Sequence, residues 1–126
     1  MGNKTLYHNS YTEEMMLVTE QVLLIVTVPA SHLHALLDAM GDAGAGQIGN
    51  YTHCAYYSAG TGRFKPNEAA NPTLGEKAQI NEVEEARIET FCSRERIKAV
   101  IEAIRSAHPY EEPVFYVLPL LSENDL

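Results

Sequence analysis

The chain carries one pattern twice, and that repetition constrains its fold more than any other feature. Residues 21–28 (QVLLIVTV) are apolar and β-branched and are closed by Pro29, which reads as a buried strand. Ser31 follows as a candidate cap. Leu33, Leu36, Leu37 and Met40 then fall at i, i+3, i+4 and i+7, a spacing that gathers them on one helical face. Glycines 41, 44, 46 and 49 end that helix, and residues 51–58 (YTHCAYYS) read as a second strand. An offset of 64, from Gln21 to Glu85, meets the pattern again. Residues 85–92 (EARIETFC) form a strand, with Ile88 in the place of Leu24. Ser93 stands where Pro29 stood, and Ile97, Val100, Ile101 and Ile104 repeat the helical stripe. Residues 114–118 (VFYVL) are the last strand.

Two β-α-β units in a chain of 126 residues predict an α+β fold. It is the ferredoxin-like double split β-α-β sandwich, with a four-stranded antiparallel sheet and both helices on one face. The first strand is apolar on both sides: Val22, Leu24, Val26 and Val28 on one, Leu23 and Ile25 on the other. A strand with one wet face should alternate, so the second face calls for cover, most simply another subunit. Residues 59–81 contain Gly60, Gly62, Pro66, Pro72 and Gly75 and read as a long loop; loops of that length are commonly functional. The expected organisation is an N-terminal extension over 1–20, of which residues 1–19 are expected to be dispensable for folding, a domain over 21–120 and a tail over 121–126.

Nine Lys and Arg against 17 Asp and Glu give a net charge of −8. That excludes an electrostatic grip on nucleic acid or on an anionic membrane. Two cysteines build no disulfide framework. The start of the chain lacks a basic stretch followed by an apolar run, so no secretory signal is read. The expected location is the cytoplasm, with reduced thiols.

Few residues offer chemistry. Residues 108–113 (HPYEEP) put one imidazole and two carboxylates between prolines. His108, Glu111 and Glu112 could hold a divalent metal such as copper or zinc. The same segment could be a structural corner in which Tyr110 packs and the polar groups serve the backbone. His53 and Cys54 are adjacent on an expected strand, so they should face opposite ways and not share a metal. His53 could still complete a set with the His108 cluster. His32 and His34 read as surface residues. Arg63 and Lys65 place positive charge in the long loop of an acidic chain and are candidates to meet an anionic ligand, with Tyr110 as a further ligand-binding candidate. No C-x-x-C, H-E-x-x-H or P-loop pattern occurs.

Four stretches together resemble the PII/CutA-like domain inserted in YqfO-type proteins, bacterial members of the Ngg-one-interacting-factor-three family. They are residues 43–54 (AGAGQIGNYTHC), 60–66 (GTGRFKP), 70–76 (ANPTLGE) and 108–113 (HPYEEP). The resemblance runs from about Val22 to Leu120, and departs at Ala69, where a glycine is usual. The last stretch also resembles a turn of the CutA divalent-cation-tolerance proteins. The resemblance implies a homotrimer packed through its sheets and a stand-alone version of the insert, without the flanking halves and their dinuclear metal centre. Three functions are then carried forward. The first is a trimeric regulatory module, without catalysis of its own, that binds a small molecule or a protein partner. The second is a CutA-like metal-binding protein, and the third an enzyme with a site between subunits.

Overall fold

The computed structural model describes residues 4–8 and 15–126. Its elements are β1 (Lys4–His8), β2 (Met15–Thr19), β3 (Gln21–Pro29), α1 (Leu33–Asp42), β4 (Tyr56–Phe64), β5 (Asn81–Ser93), α2 (Ile97–Ala107) and β6 (Phe115–Leu120). The two halves of the repeat meet through their first strands. β3 and β5 pair antiparallel along their length, from Gln21 opposite Ser93 to Pro29 opposite Glu85. β6 adds on the far side of β3 and β4 on the far side of β5, giving the order β4-β5-β3-β6. This is the four-stranded ferredoxin-like sheet that the repeat predicts.

Burial follows the pleat. Val22, Leu24, Val26 and Val28 of β3 and Ala86, Ile88 and Cys92 of β5 are buried, because alternate side chains share a face. Leu33, Leu36 and Met40 of α1 and Val100 and Ile104 of α2 close over them as one core. The other face carries Leu23 and Ile25, half-buried. The register sets Leu118 beside Leu23 and Tyr116 beside Ile25, and both are exposed, at 45% and 58%. Tyr56, paired with Glu89, is 70% exposed. The β3–β6 part of the second sheet face is therefore apolar and bare in the single chain, while β5 sets the exposed Arg87–Glu89 ion pair beside it.

Four expectations need correction. Neither Ser31 nor Ser93 caps a helix through its side chain. Each helix is entered through a 3-10 turn, Ala30–His32 and Arg94–Arg96, placed identically in the two halves. The second strand is not 51–58 but Tyr56–Phe64, so the loop between the halves covers 65–80. Gly60 and Gly62 belong to that strand, because an edge strand that pairs only with β5 tolerates them. β5 begins at Asn81, four residues earlier than its apolar run suggests. Residues 46–55 form a tight turn instead of a strand. Gly49 has φ 55° between mutually bonded Ile48 and Tyr51, a geometry in which the first turn position favours glycine. A Cβ on Gly46 would strike the Cys54 backbone.

β1 and β2 pair as an antiparallel hairpin, Lys4 opposite Thr19, which the sequence does not announce. Thr19 is 1% exposed. Its hydroxyl donates to the Gln21 carbonyl at 2.6 Å and accepts from the Leu120 amide at 3.3 Å. Its own carbonyl accepts from the Arg94 guanidinium at 2.7 Å. Thr19 thus joins the starts of β3 and α2 to the end of β6. Thr19→Ala is expected to lose about 1–2 kcal/mol, roughly 4–8 °C in melting temperature by calorimetry. An unchanged melting temperature would show that these bonds are replaced by water at no cost.

Candidate functional site

The Thr27 end of the bare sheet face runs into a cleft of about 400 Å³, within the size range of small-molecule sites. It is built by segments far apart in sequence. The end of β4 and the residues after it supply Arg63, Phe64, Lys65 and Pro66. The loop over 70–74 supplies Pro72, Thr73 and Leu74, and the corner after α2 supplies Tyr110, Glu111 and Glu112. Thr27 of β3 and Glu85 of β5 form the sheet side. Three of the four stretches singled out by resemblance therefore converge on one concavity.

His108 sets the corner. It is 6% exposed, and both ring nitrogens are in use. Nε2 lies 2.7 Å from the Thr27 carbonyl, to which it donates, and Nδ1 accepts the Tyr110 amide at 3.1 Å. These two partners define the neutral tautomer with hydrogen on Nε2. Burial pushes the imidazole pKa below its ordinary value, outweighing the opposite pull of the Thr27 carbonyl and of Glu85. The imidazole thereby fixes Tyr110, whose ring lies 5.0 Å from it and 6.2 Å from that of Phe64.

The Tyr110 phenol is the unusual group of the cleft. Its oxygen is buried and makes no hydrogen bond of ordinary length among the described residues. Burial raises its pKa most, and the Glu85 carboxylate beside it raises it further, as a hydrogen-bond acceptor and as a negative charge. Glu85 reaches this position because Gly62 has no side chain; a Cβ there would overlap the carboxylate. The far wall is tied to the corner by two bonds. The Thr73 hydroxyl donates to the Pro109 carbonyl at 2.7 Å, and the Asn71 amide donates to Glu111 at a stretched 3.4 Å.

The structure thus brings Arg63, Lys65, Tyr110, Glu111 and Glu112 to one cleft. His108 stands behind Tyr110 and does not line it. His53 lies elsewhere, on a turn residue with φ 59°. Its Nε2 is 2.9 Å from Asp42 Oδ1 and its Nδ1 2.9 Å from the Thr52 hydroxyl. The strand argument for His53 and Cys54 fails, because neither is on a strand and both line one small void of about 10 Å³. Among the described residues no three His, Cys, Asp or Glu side chains are gathered as a metal site. His108, with both nitrogens engaged, does not fit a metal ligand within one chain. Glu85 and Thr27 were not singled out by sequence, and Phe64 entered only as part of the 60–66 stretch. A carboxylate on the outward phase of a strand, beside a strand bearing Gly60 and Gly62, is the signal that could have found Glu85.

No family model matches the chain. The fold defines its class: an α+β, PII/CutA-like domain. CutA1 from Shewanella sp. SIB1 superposes with a TM-score of 0.62 at 19% identity, over 83% of this chain and 85% of that one. CutA from Synechococcus elongatus gives 0.61 at 17% identity, over 96% and 87%. Closer sequence likeness points to larger proteins. The chain is 43% identical over 102 residues to a GTP cyclohydrolase 1 type 2 homolog of Halalkalibacterium halodurans, covering 81% of this chain and 27% of the relative. A protein of the same name from Listeria innocua is 38% identical over 125 residues, 98% of this chain and 32% of the relative. A Bacillus cereus protein related to NIF3 superposes with a TM-score of 0.70 at 44% identity, over 80% of this chain and 26% of that one. The chain therefore resembles one part of NIF3-related proteins and spans between a quarter and a third of their length.

Proposed function

We propose that the chain is a homotrimeric cytoplasmic module, without catalysis of its own, that binds a small molecule or partner in the cleft and signals through the loop over it. The observation that carries this reading is the convergence of three distant segments on a cleft of about 400 Å³ with a buried phenol beside the Glu85 carboxylate at its wall. The loop over 65–80 is joined to the corner by one firm bond and one stretched bond. A ligand that contacts both walls would favour one arrangement of that loop. The trimer is supported by the bare apolar stretch of β3 and β6, with Tyr116 and Leu118 exposed, and by the assembly that the resemblance implies. No helix among the described residues is long and apolar enough to cross a membrane.

The alternative, divalent-metal binding through His53, His108, Glu111 and Glu112, draws on the likeness to CutA proteins, one of which is a divalent cation tolerance protein of Thermus thermophilus. It would need ligands from a second copy of the chain and a broken His108 hydrogen bond.

The test is a thermal-shift panel of amino acids, nucleotides and dicarboxylates on the wild type and on the double variant Arg63→Ala, Lys65→Ala. At least one compound should raise the melting temperature of the wild type, as a ligand of the folded state must, and lose that effect in the variant. A panel without effect, or effects retained in the variant, would contradict the proposal.

A further inference from the structure

We infer that Thr52 is a covalent acylation site, with His53 as the base that takes its proton and Asp42 as the residue that positions His53. The inference is independent of the cleft. It comes from residues 43–54, the one stretch of the four that does not line it.

Three side chains are bonded in series. Asp42 Oδ1 lies 2.9 Å from His53 Nε2, and His53 Nδ1 lies 2.9 Å from the Thr52 hydroxyl. A carboxylate only accepts, so the neutral ring carries its hydrogen on Nε2 and leaves Nδ1 to accept from the hydroxyl. Hydroxyl to imidazole to carboxylate is the order of roles that activates a nucleophile. Nearness in sequence does not account for it, since Asp42 closes α1 and Thr52 and His53 lie on the turn beyond. His53 takes φ 59°, a left-handed backbone that side chains rarely adopt. Its ring lies across Gly41, where a Cβ would overlap it. Ser31 and His32 provide the contrast. Their side chains also bond, at 3.0 Å, but no carboxylate holds that ring among the described residues.

The site is open to an acyl donor. Thr52 is exposed, and the side chains of His53 and Asp42 are 46% and 76% exposed. Ile48 and Tyr51, both exposed, give the same turn apolar surface for an acyl chain. With a thioester as donor, Thr52 Oγ attacks the carbonyl carbon. The Oγ–C bond forms and the C–S bond breaks. The hydroxyl proton passes to His53 Nδ1 and then to the leaving thiolate, and Asp42 faces the positive charge that the ring carries in between. Nothing is oxidised or reduced. The acyl group stays on the chain, so the step is a modification and not a turnover.

The probe is N,S-diacetylcysteamine, a small acetyl thioester, incubated with the whole chain and followed by peptide mapping. Thr52 should gain one acetyl group that hydroxylamine removes, as it does from esters, while Ser31 stays unmodified. Acetylation of the lysines, which needs none of these residues, is the internal reference. His53→Asn keeps a residue that tolerates the left-handed backbone. It should slow labelling of Thr52 by about a hundredfold, the low end for a positioned base, with the lysines labelled as before. Asp42→Asn should slow it because the amide can donate to Nε2 and reverse the tautomer, and Asp42→Glu should restore it. Gly41→Ala keeps all three groups but displaces the ring, and should slow it as well. Four results would each overturn the inference: Thr52 unlabelled while the lysines react, Ser31 labelled as fast as Thr52, the acetyl group resting on His53, or labelling of Thr52 insensitive to both His53→Asn and Asp42→Asn.

Discussion

Replacing His108 with alanine is expected to cost about 2–4 kcal/mol and to lower the melting temperature by roughly 8–16 °C. The substitution leaves the Thr27 carbonyl and the Tyr110 amide without their partners and opens a void beside the core. The size of the effect follows from His108 holding β3 to the corner that presents Tyr110. Copper or zinc should not change the gap between wild type and variant, since neither ring nitrogen is free to coordinate. A metal-dependent rise in wild type, lost in the variant, would move metal binding to first place. The imidazole also predicts a pH dependence. Its folded pKa is lowered from 6.5, so the unfolded chain binds the proton more readily. Its stabilising contribution is complete above pH 6.5 and is lost as the pH falls from there through the lowered folded value. Chemical denaturation across that range should show a steeper acid decline in wild type than in His108→Ala. Equal slopes would mean that His108 titrates alike in the folded and unfolded chain.

The second large effect concerns assembly. Light scattering coupled to size exclusion is expected to give about three times 14.0 kDa for the wild type. Leu118 is 45% exposed on the bare face, so Leu118→Glu should fold in the single chain. A charge there would be buried unpaired in the assembly, at several kcal/mol for each subunit. The variant is expected to run near 14.0 kDa. A wild type that is monomeric at all concentrations would remove the need to cover Leu23, Ile25, Tyr116 and Leu118, and the packing argument with it.

The fold was legible because its determinants are local and periodic. The 64-residue offset places Pro29 over Ser93 and Leu33 over Ile97, and these are the ends of β3 and β5 and the starts of α1 and α2. What was not legible depends on pairing. Gly60 and Gly62 are loop residues by composition and become strand residues because β5 supplies their hydrogen bonds. Residues 51–55 have strand composition, yet His53 adopts a left-handed backbone and the turn folds back on Gly46. The β1–β2 hairpin has no counterpart in the second half, so the repeat could not reveal it.

The site was half legible for the same reason. The 60–66 and 108–113 stretches carried Arg63, Lys65 and Tyr110 as candidates by type. Their meeting with Glu85 and Thr27 follows from strand order and register, which no spacing along the chain encodes. The imidazole of His108 could be read either as ligand or as corner from sequence. Its two hydrogen bonds give it the corner role in the single chain.

The central claim, that these segments form one ligand-binding cleft, is tested most directly by amide NMR on the isotopically labelled chain, titrated with the panel compound that gives the largest thermal shift. The account predicts saturable shifts concentrated at residues 63–74, at Glu85 and at 110–114, abolished in the Arg63→Ala, Lys65→Ala variant. Saturable shifts confined to the turn over 46–55 or to the open sheet face, with the cleft amides unmoved, would contradict it.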